Sequence, residues 1–311
     1  MHIAEGGFHK GQLSLRQSRS FELPDGCVTE EAVKDEQLLA DAIDSFIRQG
    51  KFHTKEAILT VNAKDAVIRE LDFPKAKPKE LDRMIRNEMV QTFHIMKSDA
   101  IQYKEIGKVR NEDGDTLYRY RVAALDQNIV EAYYSVMERA KLKAVAMDLN
   151  VNAVEKLYFW SDSMNERPYG DNAVMLLDFG QSTTTVYIFS KEQPMFYRHL
   201  NVGSGDIDGV LRSTAQQMTD LQPFFYRLDD EIRKVVTFYH ERAQSAGIGC
   251  AYLFGMGSEL SGLADYWSGS LNLPVEKLRS LGKSGKMIKP NPAHLNAVAA
   301  LIRYDKERRQ S

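Results

Sequence analysis

Residues 175–188 read Met-Leu-Leu-Asp-Phe-Gly-Gln-Ser-Thr-Thr-Thr-Val-Tyr-Ile. A continuous apolar run delivers Asp178 at its end, and Gly180 permits a tight turn there. The hydroxyl residues Thr183 and Thr184 follow, then a β-branched run starts back. Such a turn can aim backbone amides and hydroxyls at a phosphate. A carboxylate at the strand end can hold a water of a magnesium ion, which takes few protein ligands. The same residues suit a plain hairpin whose threonines serve strand propensity, so the stretch alone leaves both readings open.

A second stretch, Leu253-Phe-Gly255-Met-Gly257-Ser258, is a strand running into a glycine turn and then a helix. That arrangement can pass under a base or phosphate, although two glycines are weak evidence alone.

The rest of the chain bounds the possibilities. Its 311 residues exceed what one core usually organises, so two lobes are expected. The net charge of −2 gives no support for a nucleic-acid surface. The basic run Arg303–Arg309 reads as a solvated helix end. Cys27 and Cys250 form no C-x-x-C pair, which argues against zinc or a disulfide framework. Met1–Leu15 lacks the apolar core of a signal peptide, and no run suits a membrane span. A cytoplasmic protein is expected. The seven histidines show no metal-binding spacing, and there is no Gly-Lys-Ser/Thr phosphate loop or G-x-S-x-G elbow.

Periodicity then places the elements. Gly6-Gly7 predicts the turn of an opening hairpin over residues 1–23. Helices are expected at 35–49, 78–93, 127–140, 150–160, 206–219, 228–246, 261–269 and 293–303. Strands are expected at 57–61, 67–73, 101–106, 118–124, 145–148, 173–178, 183–190, 195–201 and 251–254, with another opening at Val275. Pro78 suits a first helical turn, and Leu81, Met84, Ile85, Met89 and Phe93 line one face of that helix. Residues 67–145 thus form a compact α+β unit. Residues 161–172, without periodicity, read as a linker.

The order of these segments resembles the actin-like ATPase superfamily, and more closely the PilM family of type IV pilus assembly, itself similar to FtsA. Asp178–Thr185 followed by Arg198–Gly205 is similar to the family's second-lobe phosphate motif. Asp230–Arg233 with Phe238-Tyr239 is similar to its Glu-Ile-x-Arg…Phe-Tyr helix, and Phe254–Leu263 with Leu273-Pro274-Val275 to its adenosine motif. Residues 73–145 are similar to its inserted subdomain, which opens on the Leu-Asp-Phe-Pro stretch ending at Pro74 and includes Val-Ala-Ala-Leu-Asp-Gln over residues 122–127.

The resemblance implies a two-lobed α/β fold of the actin-like, ribonuclease H-like kind. Residues 1–72 and 146–162 would be the first lobe, 73–145 subdomain 1C, and 170–311 the second lobe, with a reduced subdomain 2B near 206–230. It implies ATP and magnesium beside Asp178, Gly180, Thr183, Thr184, Gly203, Gly255, Gly257 and Ser258, with Asp178 facing the metal. It also implies that the N-terminal tail of a PilN-like membrane protein binds subdomain 1C, near Leu81, Met84, Ile85 and Met89. The chain would then sit at the cytoplasmic face of the inner membrane through partners alone, linking them to assembly ATPases.

Three departures weaken the nucleotide site. Met1–Ile3 reads as the second strand of the family's first-lobe hairpin, so the first phosphate motif is missing from this sequence, through a misplaced start, a truncation or a real loss. The subdomain 2B stretch is short, without the usual Glu-x-x-Lys. Gly-Met-Gly-Ser replaces the usual Gly-Gly start. A scaffold is therefore expected ahead of an active ATPase, and any ATPase activity is expected to be weak. A small-molecule kinase of the same superfamily ranks third.

Overall fold

The computed structural model describes residues 1–29, 32–62, 66–191, 195–207, 218–242 and 247–303. The longer strands are β1 (His2–His9), β2 (Gln12–Ser20), β3 (Glu56–Val61), β4 (Val67–Phe73), β5 (Ala100–Arg110), β6 (Thr116–Leu125), β7 (Lys143–Leu149), β8 (Ala173–Phe179), β9 (Thr184–Phe189), β10 (Phe196–Leu200), β11 (Ile248–Phe254) and β12 (Val275–Lys277). The helices are α1 (Glu36–Gln49), α2 (Pro78–Phe93), α3 (Gln127–Arg139), α4 (Asn150–Trp160), α5 (Met218–Arg242), α6 (Leu263–Leu271) and α7 (Leu295–Ala300).

The chain divides into two compact units. The first comprises residues 1–22, 49–61 and 148–311; the second comprises 23–48 and 62–147.

The first unit is organised by a five-stranded sheet of order β10-β9-β8-β11-β12. β8, β9 and β10 form an antiparallel meander, while β8, β11 and β12 run parallel. Every residue of β8 and β9 is buried, because helices cover both faces. On one face, Phe179, Leu177 and Ile188 pack with Phe225, Leu228 and Ile232 of α5 and Trp267 of α6. Asp229, itself buried, accepts hydrogen bonds from Trp267 Nε1 at 2.8 Å, Tyr266 Oη at 2.7 Å and Ser270 Oγ at 2.6 Å, joining α5 to α6. Elsewhere Tyr158 of α4 stacks on Phe189, ring centroids 4.1 Å apart.

Several expectations about this unit change. The opening hairpin turns at Lys10-Gly11, whose φ of 49° and 74° suit a tight two-residue turn. Gly6 sits instead at a register shift, where a β-carbon would collide with Ser14 O. Residues 161–172 are no open linker: Ser163–Met164 and Arg167–Pro168 pair into a four-stranded sheet with Leu281–Lys283 and Lys286–Ile288. α5 begins at Met218 rather than near 228 and continues through Pro223, because Leu221 and Phe225 are core residues. Of the helix expected at 206–219, residues 208–217 lie outside the described residues, as does 304–311 with most of the basic run.

The second unit contains a three-stranded antiparallel sheet of order β4-β6-β5. Its strands extend to 100–110 and 116–125, longer than their apolar stretches suggest, because they continue as a charged ribbon. α2 starts with Pro78 at its first turn and ends at His94, in the left-handed region with φ 56°.

Candidate functional site

The hairpin β8–β9 pairs Asp178 with Thr185 and Phe179 with Thr184. Its turn is closed by Gly180 N, which donates to Thr183 O at 3.0 Å. The turn is then fastened to the loop after β10. Ser204 N donates to Gly180 O at 2.8 Å and Gly205 N to Gln181 O at 2.7 Å. Thr184 Oγ1 donates to Val202 O at 2.7 Å, and Thr185 Oγ1 meets His199 Nδ1 at 2.9 Å. Gly203 lies so close to this turn that a β-carbon on it would overlap Gln181 O. Its amide donates to Asp206 Oδ2 at 2.8 Å, so a carboxylate of the chain itself takes that donor.

Asp178 is enclosed, with 8% of its surface exposed. Oδ2 accepts from Asn296 Nδ2 of α7 at 2.8 Å. Burial pushes its carboxyl up to about 6, against the opposing pull of the Asn296 bond. Asn296 Oδ1 is buried and has no hydrogen-bond partner among the described residues.

The glycine turn closes over the same carboxyl. Gly255 has φ 90°, and a β-carbon there would lie 2.5 Å from Asp178 Oδ1. Only a residue without a side chain fits that approach. Gly255 N donates to Pro292 O at 3.1 Å, and Ser258 Oγ donates to Gly255 O at 2.6 Å. Gly257 rests against the ring of Phe179.

The structure brings together Asp178, Gly180, Thr183, Thr184, Gly203, Gly255, Gly257 and Ser258. It does not arrange them as an open cradle. The amides of Gly180, Gly203 and Gly255 and the hydroxyls of Thr184 and Ser258 donate within the chain. No cluster of three metal-binding side chains occurs among the described residues. With these donors bonded within the chain, the turn is not the open cradle that a magnesium–nucleotide group needs. Asn296 and Asp206 are the residues that sequence reasoning misses. Each joins the site through a contact that no local pattern announces.

The residues assigned to a partner lie in the second unit. Leu81, Ile85 and Met89 are buried, Ile85 and Met89 completely. They pack on Ile101, Tyr120, Val122 and Ala124 and form the unit's own core, because the face of a helix that covers a sheet cannot also meet a partner. Met84 is half-buried. The opposite face of this sheet is ion-paired. Arg119 grips Asp72 through two bonds of 2.8 Å, and Arg121 Nη2 lies 3.0 Å from Glu70 Oε1.

No helix among the described residues is long and apolar enough to cross a membrane. The family model described as type IV pilus assembly protein PilM matches residues 2–214. No curated protein matches the sequence. Among solved structures, the chain is similar to a PilM–PilN type IV pilus biogenesis complex, with a TM-score of 0.77 at 19% identity, over 96% of this chain and 94% of that one. It is also similar to the ethanolamine utilization protein EutJ from Carboxydothermus hydrogenoformans, with a TM-score of 0.53 at 10% identity, over 97% and 89% of the two chains. These likenesses give the fold, which is actin-like, with mixed α/β layers. The family match spans well over half of the sequence, and the chain belongs to the PilM family of type IV pilus assembly proteins.

Proposed function

We propose that the chain is a scaffold of type IV pilus assembly at the cytoplasmic face of the inner membrane. It binds the N-terminal tail of a PilN-like membrane protein through subdomain 1C, residues 73–145, and links that protein to the assembly ATPases. It sits peripherally, held through its partners. The observation that carries this reading is the family match, which runs through the whole of residues 62–147. The solved complex of a PilM with a PilN supports the choice of partner. The internally bonded donors around Asp178 favour a scaffold over an ATPase.

Calorimetric titration of the intact chain with a synthetic peptide of the PilN-like tail tests the proposal. Saturable binding in the micromolar range is expected. No heat at millimolar peptide overturns the partner assignment. Titration with Mg-ATP is the companion measurement: saturable heat there restores the ATPase reading.

A further inference from the structure

Residues 277–289 hold five basic residues, Lys277, Arg279, Lys283, Lys286 and Lys289, and no Asp or Glu, in a chain whose net charge is −2. Lys277 pairs with Glu259, Nζ to Oε2 at 2.6 Å. The other four make no ion pair among the described residues. The carboxylates that meet this stretch are already engaged. Glu276 takes Arg167 at 2.6 Å, and Asp162 Oδ2 accepts from the amide of Ser284 at 2.7 Å.

Two of the free lysines flank the tip of a hairpin, and a third follows it. Leu281–Lys283 pairs with Lys286–Ile288 around a turn at Ser284-Gly285, with φ of 50° and 77°. The register sets Lys283 directly opposite Lys286. Like charges so placed repel, so the pair alone opposes the hairpin, and an anion beside it would relieve that repulsion. The tip is nevertheless braced. Asp162 holds the turn through Ser284 N, its own amide donates to Gly282 O at 2.9 Å, and a β-carbon on Gly282 would overlap Ser163 Oγ. Lys286, Met287 and Lys289 are exposed. A braced basic loop with a large apolar side chain at its tip loses little freedom on binding.

We propose that this hairpin contacts the anionic surface of the inner membrane, with Lys283, Lys286 and Lys289 taking lipid phosphates and Met287 seated at the headgroup boundary. This rests on the membrane-face location proposed above, and it adds a direct contact to the attachment through partners. The cytoplasmic leaflet is negatively charged, and each lysine close to it improves partitioning by about fivefold. A few such groups give a weak, reversible contact rather than an anchor. Linked to a bound membrane partner, that contact becomes intramolecular and reinforces the attachment. A soluble acidic chain matches the lysines but gives Met287 no apolar surroundings, which favours the bilayer.

Sedimentation of the intact chain with vesicles, without any partner, tests the proposal. One set is phosphatidylcholine alone, and the other contains about one-third phosphatidylglycerol. Binding to the second set only is expected, falling steeply with added salt. Lys283→Ser/Lys286→Ser/Lys289→Ser should lose about tenfold or more in partitioning. Lys10→Ser/Lys51→Ser/Lys55→Ser removes the same charge from exposed positions of the same unit and should stay within about twofold of the parent. Thermal melts check that both variants fold. Equal loss from both, or loss from neither, overturns the proposal. Met287→Trp gives a second readout, because Trp160 and Trp267 are buried. Its emission should shift to the blue on anionic vesicles, and unshifted emission with the vesicles bound overturns the proposal. Binding of soluble polyglutamate through the same lysines, with no binding to vesicles, makes the patch a site for an acidic chain and also overturns it. None of these outcomes touches the partner assignment, which the tail-peptide titration judges without lipid.

Discussion

Asn296 Nδ2 donates to Asp178 Oδ2 across 2.8 Å, joining two residues far apart in the chain and closing the hairpin carboxyl against α7. The bond favours the ionised form but does not offset burial, which leaves the group near 6. An acid whose folded pKa is raised holds its proton longer in the native state. Stability should therefore fall as pH rises from about 4 to about 6, then level off. Asp178→Asn removes this titration. We expect the variant to gain about 1–3 kcal/mol relative to the parent at pH 8 and little at pH 4, read from urea midpoints. A pH-independent difference would contradict this account.

Gly203→Ala tests the fastening of the hairpin to the loop after β10. The new methyl would overlap Gln181 O, a backbone atom that is itself held by Gly205 N. Backbone cannot yield as a flexible side chain does. A loss of about 2–4 kcal/mol is expected, in the range of other buried overlaps. Gly7→Ala is the control, since its added carbon meets only Ser14 Oγ at 3.8 Å.

Ile85→Ala separates core from contact on α2. Ile85 is fully buried in the second unit, so about 2–5 kcal/mol of stability should be lost. The affinity of the folded fraction for the tail peptide should be unchanged within about twofold. A selective loss of affinity without loss of stability would return this face to the partner.

Glu5 gives the opposite pH signature to Asp178. Burial pushes its carboxyl up, but bonds from the amides of His53 and Thr54 and from Gln17, with Arg16 nearby, hold it down to about 2. A depressed acid contributes stability that is present above about 4.5 and lost as pH falls toward 2. Glu5→Gln should cost about 1–3 kcal/mol at pH 7, and the gap to the parent should narrow below about pH 4. Thermal melts from acid to neutral pH measure it.

Much of this was legible in the sequence. α2 shows its start through Pro78 and its buried face through apolar spacing, and β8 shows its double burial as an unbroken apolar run. The misses have local causes. Gly6-Gly7 looks more like a turn than Lys10-Gly11, because lysine carries no signal for a positive φ. Pro223 reads as a break, yet Leu221 and Phe225 gain enough by burial to hold one helix through it. The residues named around Asp178 do lie side by side, but their bonding was not legible. Whether Gly203 N faces a ligand or Asp206 is decided by a turn geometry that residue types leave open. Asn296 lies too far along the chain for any pattern to link it with Asp178.

The short segment Asn291–Asn296 meets three distant parts of the first unit. His294 contacts the hydroxyls of Ser18 and Ser20, Pro292 O takes Gly255 N, and Asn296 takes Asp178. These partners leave the ribosome at very different times. At ~5–20 residues per second, Ser18 is synthesised about 15–60 s before Asn296. Through that interval the first hairpin and the Asp178 carboxyl lack the groups that complete their bonding. The nascent first unit is thus exposed to chaperones and proteases until translation has passed residue 296, and a ribosome stalled before that point holds a chain that cannot close.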